Sequence, residues 1–242
     1  MSKVVFLTDH KCGSAIMYQL KEQYKLRTNL DIEFQNFYMW NVNKWLPNNK
    51  YVVIIREPRE IIISGYLYHK TTSIKKEGWI NGGNYYGGWE RFFSNEDKEW
   101  YKEYLEKANI KEDYQEVLKR LPEQEGIEYE MDNIADLTLR GRDMIIKDWK
   151  DKDNVLFIQF DDMVWDMISV VKNISNFLLI ATTINTLIIE EMYNYSLVKK
   201  SYGDKVDWSH VTNKDCEKDR YLNYWNIKLE KKLLKKKYCY LS

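Results

Sequence analysis

Lysine, glycine and serine follow the first apolar run of the sequence, in the stretch Lys11-Cys12-Gly13-Ser14. A glycine in a turn lets backbone N–H groups approach an anion, and a helix that begins there adds unpaired N–H groups and a partial positive charge. Lys11 supplies a full positive charge at the same place, and Ser14 supplies a hydroxyl. These residue types in this order predict a phosphate-binding turn, although a plain strand-to-helix connection has the same composition. A Walker A loop is excluded, because the lysine precedes the glycine.

A second candidate anion site lies in the stretch REPREIIIS, which runs from Arg56 to Ser64. Arg56 ends an apolar run, where its guanidinium is placed for bidentate contact with a phosphate. Ser64 lies about two helical turns further on, within reach of the same anion. Residues 57–60 also fit an ordinary helix N-terminus with compensated charge, and the sequence leaves both interpretations open.

Three short apolar segments, 4–8, 51–56 and 155–160, predict the buried strands that position these residues. Each is rich in β-branched or aromatic residues, and a helical pattern follows each one. Strands and helices in alternation predict an α/β fold, a three-layer sandwich with a central parallel β-sheet. A stretch rich in Glu, Lys, Trp and Tyr, at about 75–150, has helical periodicity and predicts a helical insertion. No linker divides residues 1–242, so we expect a single domain.

Ligands of open parallel sheets bind where the strands end, at their carboxyl edge. Lys11 follows one of the predicted strands and Arg56 ends another, so we expect both at that edge. Lys+Arg and Asp+Glu balance at 37 each, which argues against nucleic acid as a partner. An anionic ligand must therefore be bound by a local cluster of cations. The two turns therefore predict one anion-binding site.

The remaining composition indicates a soluble protein of a reducing compartment. The three cysteines are odd in number and have no metal-ligand spacing, which predicts a cytoplasmic location and no bound metal. The apolar runs are too short or too polar to span a bilayer, so no membrane association is expected. Nothing in the sequence sets the oligomeric state.

The two anion motifs together resemble the sulfotransferases that use 3'-phosphoadenosine 5'-phosphosulfate (PAPS). The family's P-K-x-G-S/T-S/T turn binds the 5'-phosphate and sulfate end of the nucleotide, and HKCGSA resembles it with His10 in place of the proline. Its R-N/D-P-x(5)-S segment binds the 3'-phosphate, and Arg56 and Ser64 match it, with Glu57 as the departure. The resemblance implies a fold similar to the P-loop nucleotide-binding proteins.

Three later segments follow the family in the same order. FDDM, which begins at Phe160, resembles the family's Y-E-D-M, and YNYSLVKKS resembles S-F-x-x-M-K-x-N, which puts Tyr195 where a side chain stacks on adenine. KDCEKDRYLNYWN is similar to a motif whose arginine closes over the 3'-phosphate, and Lys214 takes that position without the motif's glycines. The resemblance thus implies these nucleotide-binding residues: Lys11, Cys12, Gly13, Ser14, Arg56, Ser64, Phe160, Tyr195 and Lys214.

The implied activity is transfer of a sulfuryl group from PAPS to a hydroxyl or amine of a small-molecule acceptor, with 3'-phosphoadenosine 5'-phosphate (PAP) as the product. The physics is that of an in-line displacement, in which Lys11 stabilises charge on the leaving oxygen. The acceptor's proton needs a base. Glu33, in a probable strand end beside aromatic residues that would raise its pKa, is the first candidate; Asp31, His10 and a carboxylate of the insertion are the others.

Other functions fit the same residues. A carbohydrate or protein-tyrosine sulfotransferase would differ only in its acceptor cleft, and a non-catalytic nucleotide-binding protein would keep Arg56, Ser64 and Lys214 but lack the base. The missing Walker A loop disfavours a nucleotide kinase. The insertion's aromatic and acidic residues favour an aromatic or cationic acceptor, while the glycine- and aromatic-rich residues 78–93 fit either an acceptor lid or a surface loop.

Overall fold

A parallel β-sheet forms the centre of the molecule in the computed structural model, which describes residues 3–9, 11–36, 46–71, 114–201 and 220–238. Its strands are β1 Val4–Thr8, β2 Ile32–Asn36, β3 Lys50–Ile55 and β4 Val155–Gln159, in the order β2-β1-β3-β4. All three pairings are parallel, which confirms the predicted fold class. The sequence also predicted that a strand ends near Glu33, whereas Glu33 is the second residue of β2.

Helices connect and cover the strands. In chain order they are α1 Ser14–Arg27, α2 Pro58–Thr71, α3 Tyr114–Arg120, α4 Glu123–Asp132, α5 Ile134–Trp149, α6 Phe160–Trp165, α7 Met167–Leu178, α8 Thr182–Ser201 and α9 Ile227–Lys236, with a 3-10 helix at Arg220–Asn223. Within the described residues, no helix is both long and apolar enough to cross a lipid bilayer.

Apolar residues on both faces of the strands account for the layers. Successive side chains of a strand point to opposite faces. In β1, Val4 and Phe6 belong to a core with α1, α2, α7 and α8, while Val5 and Leu7 belong to a separate core on the other face. A strand that is apolar on both sides needs cover on both sides, and this sheet has it.

Helix α5 covers the second face. Its residues Ile145, Ile146 and Trp149 pack in the same core as β1 and β3, and the Trp149 ring lies 4.8 Å from that of Tyr51. The sequence predicted this helix as part of an insertion over one end of the sheet. In the structure its last two turns pack on the second face, while its first turns belong to the first core. Residues 75–113 of the predicted insertion, which include the glycine- and aromatic-rich residues 78–93, lie outside the described residues.

The helix predicted after the third apolar segment is divided into α6 and α7. The Asp166 carboxylate accepts a hydrogen bond from the Ser169 backbone N–H at 3.2 Å, so it caps the start of α7. An N-cap aspartate favours a new helix start over continuation of the old one. The cap thus separates α7 from the short helix α6, which begins at the residue after β4.

Candidate functional site

The turn after β1 is held closed by its own hydrogen bonds. The Cys12 backbone N–H donates to the Asp9 carbonyl at 3.1 Å, and the Thr8 hydroxyl donates to the Cys12 carbonyl at 3.0 Å. Lys11 adopts a left-handed backbone conformation, with φ 60°. The turn thus fixes the direction in which the Lys11 side chain leaves the backbone.

Gly13 is required at the start of α1. Its φ is 83°, and a Cβ built on it would lie 2.5 Å from Cε2 of Phe160. The Gly13 carbonyl accepts the first helical hydrogen bond from Met17 at 3.0 Å, and no side chain among the described residues caps the helix. The N–H groups of the first turn, where the half-buried Ser14 lies, therefore retain the capacity to bind an anion.

Arg56 joins the other parts of the site. Its Nη1 donates to the Lys11 carbonyl at 2.7 Å, and its Nη2 donates to the Glu60 carboxylate at 3.0 Å. The guanidinium also stacks on the Phe160 ring, 4.3 Å from its centroid. The ends of β1, β3 and β4 therefore meet at one arginine, with its side chain only 10% exposed.

Arg142 is a third cation at this edge, and it was not among the residues predicted from the sequence. It lies in α5, is 3% exposed, and donates from Nε to the Arg56 carbonyl at 3.0 Å. Its charge also acts on Cys12. The stretch LRGRDM carries no motif that separates Arg142 from Arg140, which is exposed, so only the fold of α5 against the sheet identifies it.

The Cys12 thiol is not a nucleophile in this setting. Burial raises the pKa of Cys12 far above its usual range, and the negative charge of Asp9 raises it further. Arg56 and Arg142 oppose this shift without cancelling it. The thiol therefore stays protonated, and the chemistry of the turn is that of its lysine and backbone.

The stretch REPREIIIS was open to two interpretations, an anion site and an ordinary helix N-terminus, and the structure shows a helix start there. The Glu57 carboxylate accepts the Glu60 backbone N–H at 3.1 Å, so Glu57 caps the helix and Pro58 follows at its first position. Burial raises the pKa of Glu57, while Arg59 pairs with it. This segment is a compensated helix N-terminus and, through Arg56, also part of the cationic cluster.

One stripe of α2 faces the two cations of the site. Glu60, Ser64 and Tyr68 lie at four-residue spacing, so they share a face of the helix. Glu60 binds Arg56, and the Lys11 ammonium lies 3.2 Å from the centroid of the Tyr68 ring. Ser64, 5% exposed, lies between them.

Glu33 lies away from this cluster. It pairs in register with Val5, in the amino-terminal half of the sheet, and its side chain is 42% exposed. Hydrogen bonds from Gln35 at 3.0 Å and Lys3 at 3.3 Å lower the pKa of Glu33, whereas the sequence analysis expected it to be raised. Asp31 precedes β2, so it lies still further toward the amino edge.

Three predicted residues are not described at the level of their contacts. His10 and Lys214 lie outside the described residues, and Tyr195 falls within α8 at a position whose side chain is not described. Their assignments stay predictions. In the described part of the chain, no group of three or more His, Cys, Asp or Glu residues is arranged to hold a metal ion.

The sequence matches the family model of the sulfotransferase domain over residues 33–223, well over half of the chain. The protein therefore belongs to the sulfotransferase family. The match contains Arg56, Ser64 and Phe160 but begins after the Lys11 turn, so the place of that turn in the site rests on its contacts with Arg56 and Tyr68.

A solved structure shows the same fold. The crystal structure of mouse sulfotransferase SULT7A1 complexed with PAP is similar with a TM-score of 0.51 and 14% sequence identity. The alignment covers 97% of this chain and 82% of that one. No curated protein sequence matches the chain.

Proposed function

We propose that this sulfotransferase transfers the sulfuryl group of PAPS to a hydroxyl or amine of a small-molecule acceptor. The observation that carries the proposal is the meeting of Lys11 and Arg56 at the start of α1, which no described side chain caps. The 2.7 Å hydrogen bond from Arg56 to the Lys11 carbonyl joins the two residues. A cluster of fixed cations beside free N–H groups is suited to a ligand with several anionic groups.

The residues of this edge fit the two charged ends of PAPS. Lys11, with the backbone at Gly13 and the Ser14 hydroxyl, would hold the 5'-phosphosulfate, because the left-handed glycine leaves room for close approach. Arg56 and Ser64 would hold the 3'-phosphate. The complex of mouse SULT7A1 with PAP supports this choice of nucleotide.

Two further residues complete the proposed nucleotide site. Tyr195 would stack on the adenine, and Lys214 would close over the 3'-phosphate from the segment before the 3-10 helix. That helix is attached to the site, because the Tyr221 backbone N–H donates to the Glu60 carboxylate at 3.0 Å. The same carboxylate binds Arg56, so one residue connects both proposed 3'-phosphate contacts.

Bound PAPS supplies an activated sulfuryl group and a good leaving group. The Lys11 ammonium is the group that stabilises negative charge on the leaving oxygen, because it is fixed before the reaction and needs no reorganisation. Removal of the acceptor's proton falls to a base nearer the turn than Glu33, whose position and lowered pKa disfavour it. His10 comes two residues after the end of β1 in the sequence, next to Lys11, and is our first candidate.

The test is transfer itself. The protein is incubated with isotopically labelled PAPS and pooled alcohols, phenols and amines, and mass spectrometry searches for an added sulfo group. Lys11→Ala should lower the rate by orders of magnitude and weaken PAP binding much less, since the lysine acts mainly in the transition state. The matched control is Lys147→Ala, an exposed lysine of α5, which should behave as the wild type.

Each alternative gives a different result in this assay. Transfer only to glycans or to tyrosine in peptides would replace the small-molecule acceptor. PAP binding without transfer to any acceptor would favour the non-catalytic nucleotide-binding protein. Normal turnover by Lys11→Ala would contradict the role of the first turn.

A further inference from the structure

The ammonium of Lys11 already has a partner, the aromatic face of Tyr68. Its Nζ lies 3.2 Å from the ring centroid, and Tyr68 is 1% exposed, so the ring is fixed by the surrounding core. A cation is attracted to the face of an aromatic ring, and the attraction strengthens when both groups are removed from water. The tip of the lysine is therefore directed by Tyr68.

The other end of Lys11 is fixed as well. Its backbone is left-handed, with φ 60°, and its carbonyl accepts the hydrogen bond from Arg56 at 2.7 Å. A lysine normally loses considerable rotamer freedom when it is ordered, because four carbons separate the charge from the backbone. Here the turn and the ring restrict that freedom before any ligand binds.

We infer that Tyr68 is a positioning residue for sulfuryl transfer, acting through Lys11. This inference rests on the proposed function and adds to it a reason for the site's geometry. Helix α2 carries both anchors: Glu60 holds Arg56, and Tyr68 holds Lys11 eight residues later. Along a helix that spacing is about 12 Å, so α2 sets how far apart the two cations stand, with Ser64 between them.

Positioning of this kind affects turnover more than binding. A preorganised charge lowers the barrier most where charge develops in the transition state. A mobile lysine can still bind a phosphate of the bound nucleotide, so the ground state is affected less. Tyr68→Leu should therefore lower kcat by about 2- to 30-fold, the range that the strength of a cation–π contact corresponds to, with a smaller change in the KM for PAPS. Tyr68→Phe keeps the ring face and should restore most of the rate.

A matched control separates positioning from loss of core packing. Tyr66 is also 1% exposed on α2, and its ring lies against Gly126 of α4. Tyr66→Leu removes the same volume from the same helix, so it should destabilise the fold while leaving the kcat of the folded protein unchanged. The fraction of folded protein is measured for each variant by circular dichroism.

Two measurements test the coupling to Lys11. In single-turnover assays, Tyr68→Leu should cause no further loss in a Lys11→Ala background, because a residue that acts through Lys11 has nothing left to position. In NMR spectra of the PAP-free protein, ring currents should shift the Lys11 Hε resonances upfield in the wild type and in Tyr68→Phe, and the shift should vanish in Tyr68→Leu.

The outcomes are distinct. Absence of the upfield shift in the wild type would overturn the inference whatever the enzyme does, and full activity of Tyr68→Leu or additive losses with Lys11→Ala would overturn it as well. If PAP fails to raise the melting temperature while the upfield shift is present, the proposed function fails. The contact between Lys11 and Tyr68 would then be real but would have no role in sulfuryl transfer.

Discussion

At the scale of single residues, Arg56 determines the shape of the site through three separate contacts. Its guanidinium donates to the Lys11 carbonyl and to Glu60, and it stacks on Phe160. Only a planar fork of donors makes these contacts at once, so a lysine at this position is not an equivalent cation. Arg142 extends the arrangement, because it holds the Arg56 carbonyl from the second face of the sheet.

Glu33→Gln tests the base assignment at this scale. Glu33 is ionised over the working pH range because its pKa is lowered, and it lies in the amino-terminal half of β2. We expect Glu33→Gln to keep the wild-type kcat within about threefold and to leave the acidic limb of the pH–rate profile unchanged, whereas loss of a general base typically costs about 10²–10⁴-fold. His10→Ala is the comparison, and we expect it to show the larger loss.

A loss of about 100-fold or more in Glu33→Gln, with PAP binding intact, would return the role of base to Glu33. If both variants keep full activity, the remaining candidate is a carboxylate of the predicted insertion, because Asp31 lies further from the cluster than Glu33 does. Steady-state rates from pH 5 to pH 9 are sufficient for this comparison.

At the scale of elements, the start of α1 depends on a glycine. We expect Gly13→Ala to lower the free energy of unfolding by about 1–3 kcal/mol, because an alanine is strained at φ 83° and its Cβ meets Phe160. Chemical denaturation measures the loss. Two further variants separate its causes: Gly13→Asn tolerates the left-handed backbone but keeps the clash, and Gly13→Ala with Phe160→Ala removes the clash but keeps the strain. Unchanged stability in Gly13→Ala would contradict the described turn.

The docking of α9 gives a prediction in pH. Glu230 accepts hydrogen bonds from Arg59 at 2.9 and 2.7 Å and from Trp225 at 2.7 Å, and the bonds from Arg59 are the main cause of its lowered pKa. A carboxyl with a lowered pKa in the folded state stabilises the fold above its unfolded pKa of about 4.3, and this contribution is lost as pH falls through the folded pKa.

Glu230→Gln should therefore be less stable than the wild type by about 1–2 kcal/mol at pH 7, and the difference should shrink between about pH 5 and pH 3. Denaturation curves at each pH measure it. Glu190→Gln, a change at an exposed glutamate of α8, is the control and should show little difference. A gap that stays constant down to pH 3 would contradict the assigned role of Glu230.

The sequence predicts those strands and turns whose own residues carry a clear local pattern. β1 and β3 are continuous apolar runs, and their burial on both faces follows from composition alone. β4 is also an apolar run, but it is the last strand of the described sheet and most of its residues are half-buried. The turns after β1 and β3 could be located because glycine, lysine and arginine occur at strand ends, and their binding of an anion stays a prediction. Glu33 was misplaced along β2, because neighbouring aromatic residues do not tell at which end of a short strand a side chain lies.

Arg142 could not be predicted, for a related reason. Its function as a support for Arg56 depends on the packing of α5 on the second face of the sheet, a long-range contact that leaves no signal in the neighbouring residues. The hydrogen bond from Tyr221 to Glu60 likewise joins residues that are far apart in the chain. The single-domain organisation of residues 1–242 stays a prediction.

At the scale of the whole molecule, the balance of 37 basic and 37 acidic residues gives no general attraction for anions. Binding of a nucleotide must therefore come from the cluster of Lys11, Arg56 and the proposed Lys214. Such contacts distinguish nucleotides by the position of their phosphates. A ligand that binds only the folded state raises its stability by mass action, by about 2.7 kcal/mol at 100 times the dissociation constant.

We therefore expect a saturating concentration of PAP to raise the melting temperature by about 5–10 °C, and AMP at the same concentration to raise it much less, because AMP lacks the 3'-phosphate. Differential scanning fluorimetry with matched ionic strength measures both shifts. Arg56→Gln should reduce the PAP shift to the level of AMP, each variant being compared with its own ligand-free state because Arg56 also supports the fold. Equal shifts with AMP and PAP in the wild type would contradict the assignment of Arg56 and Ser64 as ligands of the 3'-phosphate, because that phosphate is the group that PAP has and AMP lacks.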